Sequence, residues 1–516
     1  MASILPALRR AAPRLTRQLF QCPHQRLPIR SGAYPAHVFP KASPKSIKFF
    51  SCSRLRSSAA VSNTATPRLP QSTPIPSIGG SISGKGAKAR RRFFPSTSQK
   101  VVAYWLLGSA ASVFGIVVFG GLTRLTESGL SITEWRPVTG SLPPSNVEEW
   151  ESEFNRYRAS PEFKLLNPNM TMDEFKYIYY MEWTHRLWGR VVGISFVLPA
   201  VYFIARRKVS ANMALRITGI GALIGFQGVL GWWMVKSGLK DDLFAPGSHP
   251  RVSQYRLVAH LGTAFLCYSA MLWNGLSILR EHKLLGNLQR AETILQRIRS
   301  PRLQVFRASV GVLAGLVFIT AMSGGLVAGL DAGLIYNEFP WMGLGLTPPK
   351  SELFSDFYSH TTDGSDIWWR NPLENPSLVQ LDHRILATTT FTAVMALFAY
   401  SRFSRNVRTI LPNGGKKAIH GVVGFACLQV VLGISTLIYL VPLPLASAHQ
   451  AGSLALLSYV LVLANRTMPP NRRFSKLLAT RFLEAGMVPK KRLVQKNPAL
   501  YTKRNVFKAA PELHQR

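Results

Sequence analysis

Eight long apolar runs, separated by polar stretches, dominate the chain, at roughly residues 102–122, 186–205, 215–235, 256–279, 305–330, 384–401, 417–440 and 445–465. Each approaches the ~20 residues that a helix needs to cross a hydrocarbon core about 30 Å thick. The polar connections alternate in charge. Basic residues crowd the segment before the first run and the even-numbered connections: Arg206, Arg207, Lys208 and Arg216; then Arg280, Lys283, Arg290, Arg297, Arg299 and Arg302; then Arg402, Arg405, Arg408, Lys416 and Lys417. The first connection instead holds Glu148, Glu149, Glu151, Glu153, Glu162, Asp173 and Glu174, and the fifth holds Glu352, Asp356, Asp363, Asp366 and Glu374. The positive-inside tendency then places both termini and the even-numbered loops on one side of a membrane.

The two halves repeat one another. "GGLTRLTESGL" (120–130) closes the first run and "GGLVAGLDAGL" (324–334) the fifth. "EWTHR" (182–186) answers "QLDHR" (380–384), "QGVLG" (227–231) answers "QVVLG" (429–433), and "VAHLG" (258–262) answers "SAHQAG" (447–452). Four landmarks in one order at an offset of about 200 residues predict an all-α membrane protein. Its eight transmembrane helices form two pseudo-symmetric four-helix bundles, related by an axis along the membrane normal.

Composition adds a compartment. The chain has 516 residues, 47% apolar and only 17% charged, yet 62 Lys and Arg stand against 24 Asp and Glu, for a formal charge of +38. No acid occurs before Glu127, and "MASILPALRRAAPRLTRQLFQ" is Arg-rich and lacks the single apolar core of a secretory signal. That composition describes a mitochondrial transit peptide, so the basic side is the matrix. Targeting and topology absorb most of the charge, and no basic patch remains that calls for nucleic acid. The cysteines Cys22, Cys52, Cys267 and Cys427 form no CxxC and no shared loop, which argues against disulfide, zinc and iron–sulfur frameworks.

The candidate chemistry lies in four histidines. His185, His260, His383 and His449 each fall near the start of an even-numbered helix. All four imidazoles should share one depth, near the intermembrane-space face, two in each bundle. Such a pair clamps a planar macrocycle, with one axial histidine on each side of an iron. Interhelical hydrogen bonding is the plain alternative; copper or zinc would lack further ligands. Arg186 and Arg384 follow histidines on the acidic side, against the charge trend. Anions such as haem propionates explain them, as does snorkelling to headgroups. Glu182 stands three residues before His185, where the other half has Gln380. This asymmetry suggests a fixed electron-relaying haem in the second bundle, and in the first a haem on which chemistry occurs, with Glu182 moving a proton. Capping a helix N-terminus is the alternative for Glu182.

Beyond spacing, the segments "GGLTRLTESGLSITEWRPVTGSLPPSNVEEWESEFNRYRASPEFKLLN", "EFKYIYYMEWTHRLWGR", "NEFPWMG", "NPSLVQLDHR" and "SAHQAG" resemble the mitochondrial haem A synthase family of cytochrome-oxidase assembly, over roughly residues 100–466. The resemblance implies oxidation of a ring methyl of haem O to a formyl group, with haem b as cofactor, in the mitochondrial inner membrane. It implies His185 and His260 around the substrate haem, Glu182 as the catalytic carboxylate, and His383 and His449 as axial ligands of haem b. The first loop carries no cysteine pair of the kind some bacterial members have. The expected division is a transit peptide (1–60), a disordered basic linker (61–100), an N-terminal substrate-haem bundle (101–280), a matrix loop (281–304), a C-terminal haem b bundle (305–466) and a basic matrix tail (467–516). The resemblance also implies a mitochondrial ferredoxin as electron donor, suited to basic matrix loops. Haem O synthase, membrane lipid and a second copy of the chain are further candidate partners. The rival readings are a di-haem b electron-transfer protein and a transporter with repeated halves.

Overall fold

The computed structural model describes residues 93–136, 142–240, 243 and 250–487; the expected transit peptide and most of the linker lie outside them. Among the described residues, eight helices are long and apolar enough to cross a membrane. In the first half they are α1 (Lys100–Leu125), α4 (Met172–Ala205), α5 (Ala211–Gly238) and α6 (Gln254–Leu285). In the second they are α8 (Gln304–Gly329), α10 (Pro376–Phe403), α11 (Asn413–Ile438) and α12 (Leu443–Thr467). Between them lie α2 (Val147–Arg158), α3 (Pro161–Leu166), α7 (Leu288–Ile298) and α9 (Ile367–Glu374), with α13 (Arg472–Glu484) after the last.

Packing follows the repeat. In the first half α1 meets α4, α4 meets α5, α5 meets α6 and α6 returns to α1; α8, α10, α11 and α12 close the same ring. Between the halves, α6 meets α8, α1 meets α12, and α6 meets α12. Exchanging the halves leaves this contact pattern unchanged, as a two-fold relation requires. On α1, the buried residues Val102, Leu106, Ala110, Val113 and Val117 recur every three or four positions and face the core. On α4, Ile194, Leu198 and Val201 recur at the same spacing but are more than half exposed, which marks the face turned to lipid.

Two helix starts differ from the expectation. The second span begins at Met172 rather than 186, and the sixth at Pro376 rather than 384. In α4 a capping box fixes the start: Thr171 Oγ accepts from Glu174 N–H, and the Glu174 carboxylate accepts from Thr171 N–H. At about 1.5 Å per residue, α4, with its 34 residues, outruns the hydrocarbon core. Its first turns are covered by protein instead: Phe175, Ile178 and Tyr179 pack with Trp150, Phe154 and Tyr157 of α2. Polar side chains on the other faces of those turns hide them from a hydropathy window. Glu182 therefore lies mid-helix, and its reading as an N-terminal cap is corrected: Thr171 is the cap. On the basic side, α13 lies within the stretch expected only as a tail, with Phe474, Leu478 and Phe482 packed on Leu284, Ala291, Leu295 and Ile298.

Candidate functional site

Each of the four histidines lies against a glycine of the preceding spanning helix. A Cβ added to Gly120 would lie 2.8 Å from His185 Cε1, and one on Gly231 3.4 Å from His260 Cε1. In the second half, Gly324 and Gly433 stand in the same relation to His383 and His449, at 3.1 and 3.0 Å. All four glycines belong to the repeated motifs, so the landmark residues are the floor on which the imidazoles rest. A methyl group at Gly120 would collide with the ring, and at Gly324 or Gly433 it would crowd it, in a close-packed interior; at Gly231 it would only touch.

His383 and His449 face one another with ring centroids 6.4 Å apart and planes at 88°. Two imidazoles trans on one metal, with metal–nitrogen bonds of about 2 Å, carry their centroids roughly 6 Å apart, so this pair fits an axial bis-histidine haem site. His383 Nδ1 lies 2.8 Å from Ser323 Oγ. His185 and His260 lie within electrostatic reach of each other in the first bundle.

Three residues before His185 on α4, the Glu182 carboxylate is buried and fully engaged. Oε2 accepts from Ser131 Oγ–H and Ile132 N–H, both at 2.7 Å, and Oε1 accepts from Arg186 at 2.5 Å. Arg186 also donates to the carbonyls of Ile132 (2.8 Å) and Glu134 (3.1 Å), and Arg190 to that of Arg136 (2.9 Å). The strip after α1 is thus stapled to α4. The second half repeats the staple with opposite polarity. Gln380 Nε2 donates to the carbonyls of Ala332 (2.8 Å) and Ile335 (2.5 Å). Arg384 donates to those of Tyr336, Glu338, Trp341 and Pro340, at 2.7–3.3 Å. Where Glu182 collects backbone and hydroxyl donors, Gln380 reaches for acceptors. Both arginines are engaged with loop carbonyls, a use that sequence reasoning missed.

A sequence model of the cytochrome oxidase assembly protein family matches residues 103–461. The chain belongs to this family. It is 50% identical to a relative from Saccharomyces cerevisiae named heme A synthase COX15, over 74% of this chain and 78% of the relative. To the human protein of that name it is 48% identical, over 71% and 83%. A Schizosaccharomyces pombe relative, named a heme A synthase-mitochondrial ferredoxin fusion protein, is 52% identical over 72% of this chain and 60% of its own length. A member from Nitrosospira multiformis named heme A synthase is 41% identical over 70% and 92%.

One further feature of this family member escaped sequence reasoning. Arg124, at the end of α1, binds Asp331 across the halves at 3.1 Å and the Gly329 carbonyl at 3.3 Å. Arg251 joins the same Asp331 and also Glu127, the latter at 2.7 Å. Glu127 and Asp331 occupy matching places, seven residues after Gly120 and Gly324, and both have left-handed backbone, with φ of 53° and 51°. The aligned acids were visible in the repeat; Arg251, far off in sequence, was not. Glu162, on α3, is buried within electrostatic reach of this cluster and of Glu182. Of the other histidines, His282 pairs with the Ser98 carbonyl and His420 with that of Lys416. His360 lies near Glu374, and His249 lies outside the described residues.

Proposed function

We propose that this chain, a multi-pass protein of the mitochondrial inner membrane, oxidises a ring methyl of haem O to the formyl group of haem A, using two unlike haem sites. His383 and His449 hold haem b in the second bundle, and His185 and His260 flank the substrate haem in the first. The observation that carries this reading is the duplicated histidine–glycine pairing combined with the Glu182/Gln380 difference: two similar clamps, with a carboxylate in the first where the second has a neutral amide. Haem b, when bound, supplies one-electron transfer. The protein side chains do the rest. The imidazoles orient the porphyrin planes, the stapled strips at 131–136 and 335–341 roof the sites, and Arg186 and Arg384 put positive charge near the propionates. Each of the two oxidations replaces a C–H bond of the methyl carbon by C–OH; with electrons from ferredoxin and O₂ as oxidant, each also consumes two protons and releases water, and the resulting geminal diol loses water to give the formyl group. Glu182, held by Arg186 and Ser131, is the group placed to move a proton.

Both termini lie in the matrix, with an N-terminal transit peptide removed after import. Residues 101–280 form the substrate half and 305–466 the haem b half. A mitochondrial ferredoxin supplies electrons, the partner to which the fission-yeast relative is fused by name. Its docking site is the basic face of α7 and α13, where Arg290, Arg297, Arg299, Arg472, Arg473 and Lys476 are exposed. The test is to purify the protein and chromatograph its extracted haems. Haem b together with haem O or haem A supports the proposal. Two equivalents of haem b alone would instead mark a di-haem b electron carrier, and no haem a transporter.

A further inference from the structure

The two halves differ at the residue before each paired glycine. Aligning Gly120 with Gly324 sets Phe119 of α1 opposite Ser323 of α8. Ser323 Oγ lies 2.8 Å from the Thr320 carbonyl oxygen and 2.8 Å from His383 Nδ1. A serine has one hydroxyl proton, and a carbonyl can only accept. The proton therefore points to Thr320, and Oγ offers its lone pair to the imidazole. The reverse arrangement would leave two bare oxygen acceptors facing each other at 2.8 Å. His383 thus carries its proton on Nδ1, and the Nε2 lone pair is left for a metal. At His185 no such arrangement exists: Phe119 has nothing to offer, and His185 Nδ1 is buried without a protein partner, as are those of His260 and His449, so His383 alone of the four has its Nδ1 held by a side chain.

We infer that Ser323 is a positioning residue that locks His383 in the metal-binding tautomer, and that its replacement by Phe119 in the first half leaves His185 the looser, exchangeable grip. The inference rests on the haem b reading of the second bundle. It gives a physical reason why the second bundle grips its haem harder: one of its two imidazoles has an Nδ1–H hydrogen bond that fixes the ring and raises the basicity of the opposite nitrogen, where neither His185 nor His260 has one.

The test uses purified full-length Ser323→Ala and Ser323→Thr variants, read by redox titration of haem b absorbance and by haem transfer to excess apomyoglobin. Ser323→Ala should keep haem b but raise its midpoint potential, because a less basic imidazole stabilises the ferric state less. It should also lose haem roughly tenfold faster. Ser323→Thr, which keeps the hydroxyl, should restore both properties. Wild-type potential and wild-type haem loss in Ser323→Ala would overturn the inference. A His383→Ala control separates the two levels: full haem b in that variant would overturn the haem b reading itself, whatever Ser323 does.

Discussion

His383 and His449 present their rings to each other at 6.4 Å, with the planes almost perpendicular. Perpendicular axial imidazoles leave two iron d orbitals nearly degenerate. Haem b bound between them should therefore give a low-spin ferric electron paramagnetic resonance signal of the highly anisotropic type. A rhombic signal of the kind seen with parallel imidazoles would contradict the arrangement.

The glycine floors make separable expectations for the two bundles. Gly324→Ala sets a methyl 3.1 Å from His383 Cε1, and Gly120→Ala sets one 2.8 Å from His185 Cε1. Overpacking of this kind costs about 1–3 kcal/mol, and a displaced imidazole misses the iron. Gly324→Ala should lower haem b content, and Gly120→Ala should lower haem O and haem A content with haem b unchanged. Gly108→Ala, which meets nothing within 4 Å, should change neither. Haem extraction from the three variants checks all of this.

Glu182→Gln removes the charge paired with Arg186 and keeps the side chain's size. Product formation should fall by about 100-fold or more while haem b content stays normal. The converse change, Gln380→Glu, turns a carboxylate toward the Ala332 and Ile335 carbonyls and should cost haem b by freeing the strip after α8. Wild-type product formation in Glu182→Gln would remove the carboxylate from the chemistry.

What could be read from the sequence followed what repeats. The apolar windows located all eight helices because lipid imposes the same demand on each, and the second occurrence of every motif made His185, His260, His383 and His449 stand out among eleven histidines. The start of α4 was hidden because Phe175 and Tyr179 pack on Trp150 and Phe154 rather than on lipid. The contacts of Arg186 and Arg384 with loop carbonyls, and the Arg186–Glu182 ion pair, were not legible, because no pattern of side chains reveals where a loop turns its backbone. The Arg251–Asp331 contact joins residues 80 positions apart with no periodicity to announce it.

Glu162 makes stability depend on pH. Burial pushes its carboxyl well above the ordinary carboxylate range; Glu127 and Glu182 push further, and Arg251 and Arg124 partly offset them. An unfolded glutamate titrates near about 4.3, so between that value and the raised one the folded state holds a proton that the unfolded state has released. The resulting stabilisation is complete below about pH 4.3 and is lost as pH rises through the folded value. Glu162→Gln keeps the neutral shape and removes this slope. In detergent its unfolding temperature should gain on the wild type as pH rises from about 4 to 8. A difference constant over that range would contradict the assignment.

The most direct measurement compares the haems extracted from His383→Ala and His185→Ala with those of the wild type. The expected result is a crossed pattern: His383→Ala loses haem b, while His185→Ala keeps haem b and loses haem O and haem A. Equal loss of one haem type from both variants, or haem b unchanged in His383→Ala, would contradict the claim that the two bundles hold chemically different haems.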